Sequence, residues 1–118
     1  MIRMESLTKK FGTLMAVDSL TLEVAEGEVF GFLGPNGAGK TTTVRLLTSL
    51  IAPTSGHASV NGLELGRDDD AVRQCVGLLT ETPGMYDRLS AEKNLTIFAN
   101  LYGVKDPPGQ VQKYLRML

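Results

Sequence analysis

The residues with the most specific chemical potential form a glycine-rich run that ends in a lysine and two threonines. The run consists of Gly34, Pro35, Asn36, Gly37, Ala38, Gly39, Lys40, Thr41 and Thr42. Its spacing is G-x-x-x-x-G-K-[ST], the phosphate-binding loop or Walker A motif. Glycines such as Gly34, Gly37 and Gly39 allow positive φ and bring the backbone close to an anion, so that successive N–H groups can bind phosphate oxygens. We therefore predict a site for the phosphates of a nucleotide.

Three polar side chains of this run have separate predicted roles. Lys40 brings positive charge to the β- and γ-phosphates, and the Thr41 hydroxyl is suited to ligate Mg²⁺. Thr42 can donate to the α-phosphate. The alternative is a glycine-rich turn that precedes a helix by chance, and the lysine and two threonines at the right positions weigh against it.

The elements on either side of the run support this prediction. Residues 29–33 form a short apolar run that predicts a buried strand. Residues 43–50 carry Val44, Leu47 and Leu50 at helical spacing. A strand, a glycine-rich loop and a helix N-terminus thus follow in the required order, and the helix dipole favours an anion at that end.

Composition limits the broad class of the protein. The 118 residues suffice for at most one small domain, and 42% are apolar, which is enough for a core. The formal net charge of −1 gives no basic field for nucleic acid. The single cysteine, Cys75, excludes an intrachain disulfide, and the apolar run beside it predicts a buried thiol. No apolar run approaches the ~20 residues of a membrane span, which predicts a cytosolic chain.

The first 28 residues predict a β-rich layer. Residues 1–8 read as a strand with Ile2, Met4 and Leu7 on one side, followed by a polar turn at residues 9–12 that carries Phe11. Residues 14–24 read as a second strand, since apolar residues alternate with polar ones near its end. The apolar residues of that alternation are Leu20, Leu22 and Val24.

After the first helix, residues 53–56 predict a turn, and residues 56–65 a hairpin whose Asn61-Gly62 pair favours a type I′ turn. His57 has no second ligand nearby, so a surface strand residue is favoured over a metal ligand. The acidic residues 68–70 resemble a metal cluster, but the cap of a short helix explains them better.

The remaining residues predict one more strand and two helices. Residues 76–79 read as a buried strand, and a helix follows the capping residue Ser90. Its apolar side carries Leu95, Phe98, Ala99 and Tyr102. A last helix opens at residues 106–108, with Val111, Tyr114, Leu115 and Leu118 on its apolar face. It stops on Leu118 without a capping residue, from which we expect that the chain was cut.

Taken together, these motifs resemble the ATP-binding subunit of ABC transporters over the whole chain. The amino-acid sequence of residues 34–42 is the one favoured in that family. Residues 9–12 are similar to its aromatic loop, which implies that the Phe11 ring stacks on adenine. Val17 is similar to the apolar residue beside the base. Plain core packing is the alternative for Phe11.

Two further segments carry the resemblance. Residues 76–81 resemble the strand entering the Q-loop, where the family usually has Gln and this chain has Glu81. The resemblance implies that Glu81 can ligate Mg²⁺, together with Thr41. Residues 83–95 and 102–103 resemble the corresponding segments of family members that export drugs, sodium or polysaccharide. In the family, residues 83–98 would face the coupling helix of a transmembrane permease.

Several family motifs are missing from the sequence. There is no Leu-Ser-Gly-Gly-Gln signature, no apolar strand ending in Asp-Glu and no switch histidine after Glu81. In the family these follow the segments seen here, so no catalytic residue for water activation is present. We therefore expect an ATPase domain truncated before its signature and Walker B segments, incompletely folded by itself and without ATP turnover.

The fold class predicted is α/β, a P-loop NTPase (ABC ATPase) core with an N-terminal antiparallel β subdomain. Its expected parts are a β layer at 1–28, the phosphate-loop strand and helix at 29–52, the hairpin at 56–65, and the Q-loop strand with the start of a helical subdomain at 76–118.

The predicted function is binding of ATP with Mg²⁺ and, in the complete domain, hydrolysis that powers export. The expected partners are a second ATP-binding domain and a permease that holds the protein on the inner face of the cell membrane, without nucleic acid. The alternatives are a non-hydrolysing nucleotide-binding fragment and a soluble ABC ATPase acting on ribosome or DNA. The transported substrate and the permease cannot be named from the sequence.

Overall fold

A four-stranded antiparallel sheet and four helices make up the residues that the computed structural model describes, 1–80 and 84–117. The strands are β1 (Ile2–Phe11), β2 (Leu14–Val24), β3 (Ser55–Val60) and β4 (Leu63–Glu64). The helices are α1 (Lys40–Leu47), α2 (Asp69–Cys75), α3 (Ala91–Leu101) and α4 (Pro107–Leu115). The chain divides into two units, Met1–Leu78 and Leu79–Leu118.

The first unit is built on the sheet, whose strand order is β2-β1-β3-β4. Strand β1 is longer than predicted, because its hydrogen-bonded pairing with β2 continues to the pair Phe11 and Leu14. Residues 9–11 therefore belong to the strand rather than to a turn. At the other hairpin, Asn61 and Gly62 both take positive φ, 51° and 78°, as a type I′ turn requires.

A bulge in β1 changes which side chains face the core. Between the pairs Met4–Leu22 and Leu7–Leu20, β1 carries one extra residue, and Ser6 there takes a φ of 48°. This extra residue turns Leu7 to the same face as Met4, which strict alternation would forbid. Gly56 of β3 passes so close to the Ser6 carbonyl that a side chain at Gly56 would collide with it.

The core of this unit lies between the sheet and α1. Its buried members are Met4, Leu7, Val17, Leu46 and Ala58. Leu20 and Leu22 pack against them while Thr21 and Glu23 are exposed, which confirms the predicted alternation in β2. Leu46 is the α1 residue in this cluster and is fully buried, so the helix is fixed to the sheet through its last turn.

Two segments with a predicted strand have no strand pairing in the described residues. Residues 29–33 have no assigned secondary structure, and Val29 is fully exposed and Leu33 92% exposed. Residues 76–79 are also outside any strand, and Leu79 is exposed. A strand needs a hydrogen-bonded neighbour, and no described segment lies beside either run. Cys75, predicted to be buried, is likewise exposed, and its Sγ–H donates to the Val72 carbonyl at 3.3 Å.

Asp68 is the N-cap residue of α2 and Asp69 its first residue, so acidic residues lie at the helix start as predicted, but neither side chain caps the helix and both bind backbone of the preceding turn. Asp68 accepts from the Glu64 N–H at 2.9 Å, and Asp69 accepts from the Gly66 N–H at 2.8 Å. The Arg67 guanidinium lowers the pKa of Asp68, and the Gly66 N–H lowers the pKa of Asp69. The two carboxylates thus stabilise the β4–α2 turn.

This turn makes stability sensitive to acid. Both folded-state pKa values lie below their ordinary value, so the carboxylates stabilise the fold above pH ~4, and this contribution is lost as the pH falls through the folded pKa values. In Asp69→Asn the amide oxygen still accepts the Gly66 N–H but does not titrate. We expect its melting temperature to fall less steeply than that of the wild type between pH 5 and pH 2.5, measured by circular dichroism. Parallel curves would contradict the assignment.

The second unit contains α3 and α4, which pack against each other. Ser90 caps α3 as predicted, since its hydroxyl accepts from the Lys93 N–H at 3.3 Å. Asp106 caps α4 in the same way, accepting from the Gly109 N–H at 3.3 Å. Tyr102 and Tyr114 were expected on apolar faces, but both are more than half exposed, and Asn94 and Val111 are the buried residues of the two helices. Leu118 lies outside the described residues.

Candidate functional site

The glycine-rich run forms a loop that ends directly at the first residue of α1. Gly37 and Gly39 take φ values of 86° and 80°. The Ala38 N–H donates to the Pro35 carbonyl at 3.2 Å, which closes a turn, and the Thr43 N–H donates to the Gly39 carbonyl at 2.8 Å, which starts the helix. The N–H groups of residues 40–42, by helix geometry, have no acceptor within the helix, so they remain available to an anion.

A bulge in β2 is packed against this loop. β1 pairs Lys9 with Val17 and Lys10 with Met15, so Ala16 is left without a partner. Its carbonyl lies where a side chain at Gly39 would have to go, and the Val17 Cγ2 atom would be 3.4 Å from that side chain. Position 39 therefore requires glycine for two reasons, its positive φ and this close approach.

Gly34 has a different role from the one predicted. The φ of Gly34 is not positive, so this position does not require the conformational freedom of glycine. A Cβ there would lie 3.2 Å from the Ala38 Cβ and 4.0 Å from the Lys40 Cδ. The missing side chain instead leaves room for the loop to fold on itself and for Lys40 to cross it.

The Lys40 ammonium lies over the loop backbone. Its Nζ donates to the Gly34 carbonyl at 2.5 Å and to the Pro35 carbonyl at 2.6 Å. A cation is thus held beside the N–H groups at the start of α1. The Thr41 side chain is exposed and its hydroxyl has no hydrogen-bond partner in the described residues, while Thr42 is half-buried.

Phe11 and Val17 have opposite environments. The Phe11 side chain is 48% exposed at the end of β1, so the ring is not part of the core. Val17 is buried and belongs to the core cluster, and its outer contact is with Gly39. The structure therefore brings Val17 to the loop. Stacking by Phe11 and contact of Val17 with a base remain predictions.

Glu81, the second predicted Mg²⁺ ligand, lies outside the described residues. Within residues 1–80 and 84–117, no group of three or more His, Cys, Asp or Glu side chains could hold a metal ion. His57 is exposed on β3, opposite Glu5 of β1. The described residues thus offer Thr41 alone of the two predicted ligands.

In the second unit, Asn94 organises the loop before α3. It is 4% exposed, and its Oδ1 accepts from the Tyr86 N–H at 2.8 Å. Its Nδ2 lies 3.1 Å from the Tyr86 carbonyl, 3.2 Å from the Leu89 carbonyl and 3.1 Å from the Ser90 carbonyl. Met85 and Tyr86 are left about half exposed on this fixed loop. Sequence reasoning assigned no role to Asn94, although an asparagine four residues after a helix cap, on the inner side, is an available signal.

None of the helices in the described residues has the length and apolar character needed to span a bilayer.

Comparison with known proteins gives a consistent result. The family model described as ABC transporter matches residues 17–118. The probable multidrug ABC transporter ATP-binding protein YbhF of Escherichia coli (strain K12) is 41% identical over 116 residues, which cover 98% of this chain and 20% of that protein. The bacitracin transport ATP-binding protein BcrA of Bacillus licheniformis is 42% identical over 103 residues, covering 87% of this chain and 34% of that protein. The chain spans at most about a third of these relatives' length.

Solved structures share the fold. The dimeric structure of an ATP-binding cassette in a post-hydrolysis state, bound to ADP and Pi, matches with a TM-score of 0.81 at 24% identity, over 98% of this chain and 55% of that one. An ATP binding subunit of an ABC transporter matches with a TM-score of 0.75 at 30% identity, over 89% of this chain and 44% of that one. The predicted α/β fold, a partial ATPase core with an antiparallel β subdomain, is confirmed.

Proposed function

Because the chain belongs to the ABC transporter family, we propose that it binds ATP, with the phosphates on the loop at residues 34–42. The observation that carries this proposal is the Lys40 ammonium, held over the loop carbonyls beside the free N–H groups at the start of α1. A bound triphosphate would take the ammonium from the Gly34 and Pro35 carbonyls. Charge-assisted contacts to phosphate are stronger than those to neutral carbonyls, which favours this exchange.

The other residues of the loop have supporting roles in this proposal. The N–H groups of residues 40–42 would bind the β-phosphate, and the Thr42 hydroxyl would donate to the α-phosphate. The exposed Thr41 hydroxyl fits a Mg²⁺ ligand, since it is an oxygen donor without another partner in the described residues. Glu81 would be a second ligand. When bound, Mg²⁺ would neutralise charge on the phosphates.

We also propose that the ATP-binding function serves export. The names of the relatives refer to a multidrug ABC transporter, to bacitracin transport and to daunorubicin resistance. The proposed contact with a permease uses residues 83–98, where Asn94 fixes the backbone and Met85 and Tyr86 are exposed. Such a partner would hold the protein at the inner face of the membrane. A pull-down with a candidate permease subunit would test this, and binding unchanged by Tyr86→Ala would count against that surface.

Hydrolysis is proposed for the complete domain, with a second ATP-binding domain closing over the nucleotide. The fold neighbour bound to ADP and Pi is a dimer, which supports such pairing. The alternative is a nucleotide-binding module without turnover, because the sequence contains no group assigned to activate water. Phosphate release measured with saturating MgATP separates the two. The net charge of −1 disfavours action on nucleic acid.

The proposed base contact leads to a prediction for Phe11→Ala. Stacking uses a flat face and not a donor pattern, so ATP and GTP affinity should fall by a similar factor, about five- to twentyfold. Affinity for inorganic tripolyphosphate should not change. Titration calorimetry with the three ligands measures this.

Leu14→Ala is the matched control, since Leu14 is the exposed cross-strand partner of Phe11. It should leave all three affinities unchanged. Equal loss of ATP and tripolyphosphate in Phe11→Ala would mean that Phe11 supports the fold and does not contact a base.

A further inference from the structure

A lysine two residues before Phe11 lies against the face of its ring. The Lys9 Nζ atom is 5.1 Å from the centre of the Phe11 ring. Residues i and i+2 of a strand project to the same side, so the two side chains are neighbours on one face of β1. An ammonium within about 6 Å of a ring centre is attracted by the electrons of the ring face.

The same ammonium is anchored elsewhere in the unit. Lys9 Nζ donates to the Ala52 carbonyl at 2.6 Å, in the connection between α1 and β3. Two backbone contacts reinforce this attachment: the Thr54 N–H donates to the Thr8 carbonyl, and the Lys10 N–H donates to the Thr54 hydroxyl, both at 2.9 Å. The cation is therefore held by a fixed carbonyl rather than by solvent alone.

These contacts leave the Phe11 ring with two unlike faces. One face is covered by an ammonium with a fixed position, and the side chain as a whole is still 48% exposed. A half-exposed phenylalanine at the end of a strand would otherwise rotate among several conformations. The Lys9 contact selects one orientation and leaves the opposite face for a flat ligand.

We propose that Lys9 is a positioning residue, which orients the Phe11 ring as the platform for the purine base. This inference rests on the proposed binding of ATP at the loop of residues 34–42. Lys9 lies on β1 and not in the loop of residues 34–42, and its ammonium contacts Phe11 and Ala52, so it should affect the base part of the ligand and not the triphosphate part. Lys10, its neighbour, has no side-chain contact among the described residues and provides a matched comparison.

The test compares Lys9→Met, Lys9→Arg and Lys10→Met by titration calorimetry with ATP and inorganic tripolyphosphate on the purified protein. Methionine keeps an apolar stem but loses both contacts of the ammonium. Lys9→Met should lower the affinity for ATP by about three- to fivefold and leave the affinity for tripolyphosphate unchanged. Lys9→Arg should restore ATP affinity to within about twofold of the wild type, because guanidinium retains the contact with the ring. Lys10→Met should bind ATP and tripolyphosphate with the same affinities as the wild type.

A double-mutant cycle measures the coupling between Lys9 and Phe11 in ATP binding. If Lys9 acts through the ring, Lys9→Met should have no further effect on ATP binding once Phe11 is alanine. The inference is overturned if Lys9→Met equals Lys10→Met, if it weakens both ligands alike, or if its effect persists without Phe11. Failure of the proposed function would look different: the wild type would bind neither ligand, or Lys40→Ala would leave tripolyphosphate binding unchanged.

Discussion

Lys40→Ala is expected to weaken ATP binding by about ten- to a hundredfold. The substitution removes the ammonium that crosses the loop and donates to the Gly34 and Pro35 carbonyls. A charge-assisted contact of a partly buried group is worth ~1.5–3 kcal/mol, which gives a change of this size in the dissociation constant. Tripolyphosphate should lose affinity by a similar factor, because the effect concerns the phosphates. Titration calorimetry measures both.

Arg45→Ala is the control for this substitution. Arg45 is a cation on the same helix, five residues further along, and its exposed side chain has no contact among the described residues. It should leave both affinities within about twofold of the wild type. Unchanged affinity in Lys40→Ala would remove the phosphate-loop assignment, while equal losses in the two variants would indicate a general effect of net charge.

Gly39→Ala is expected to lower both stability and nucleotide affinity. The added methyl group would collide with the Ala16 carbonyl, and alanine disfavours the φ of 80° at this position. Left-handed backbone costs ~1–2 kcal/mol for a residue with a Cβ, and overpacking costs ~1–3 kcal/mol. The free energy of unfolding should therefore fall by about 2–5 kcal/mol. Urea denaturation measures this change, and calorimetry measures the loss of ATP binding.

Gly37→Ala separates the two causes. Gly37 has an almost identical φ of 86°, but a Cβ there would meet no atom within 4 Å. The free energy of unfolding of this variant should fall only by the cost of the left-handed backbone conformation, ~1–2 kcal/mol. If the two alanine variants unfold at the same urea concentration, the contact of the loop with β2 does not constrain position 39.

The sequence predicted those parts of the fold whose signals are local. The Walker A spacing located the loop, the alternation in β2 identified Leu20 and Leu22, and Ser90 marked the start of α3. Each of these depends on residues within about ten positions of one another. Agreement is therefore best where backbone conformation and side-chain spacing decide the structure without distant partners.

The failures concern features that depend on distant partners. An apolar run such as 29–33 indicates a strand, but a strand exists through a neighbour that the run itself does not specify. Leu7 was expected on the side of Met4 and is buried there, but the bulge that places it on that side does not follow from alternation, which would have put it opposite Met4. Tyr114 was assigned to an apolar face by its spacing alone, yet α3 does not cover it.

The candidate site shows the same division. Spacing predicts the roles of Lys40 and Thr41, which stay predictions. Gly34 does not take the positive φ predicted for it, and a close approach to Ala38 and Lys40 limits this position instead. Lys9 contacts Phe11 and also Ala52, which lies 43 residues further along the sequence. No short motif encodes these contacts. Long-range contacts of this kind appear only in three dimensions.

The bulge at Ala16 has a consequence for how this hairpin can change in evolution. The unpaired Ala16 lies between the tip of the hairpin, at Gly12 and Thr13, and the phosphate loop that packs on it. Insertions at the exposed tip would lengthen the two strand ends without moving Ala16, and surface tips generally accept such changes. A one-residue deletion at Ala16 would restore regular pairing and withdraw its carbonyl from Gly39. The tip of the hairpin is therefore free to vary in length among descendants of this sequence, while its inner part is fixed to a single length.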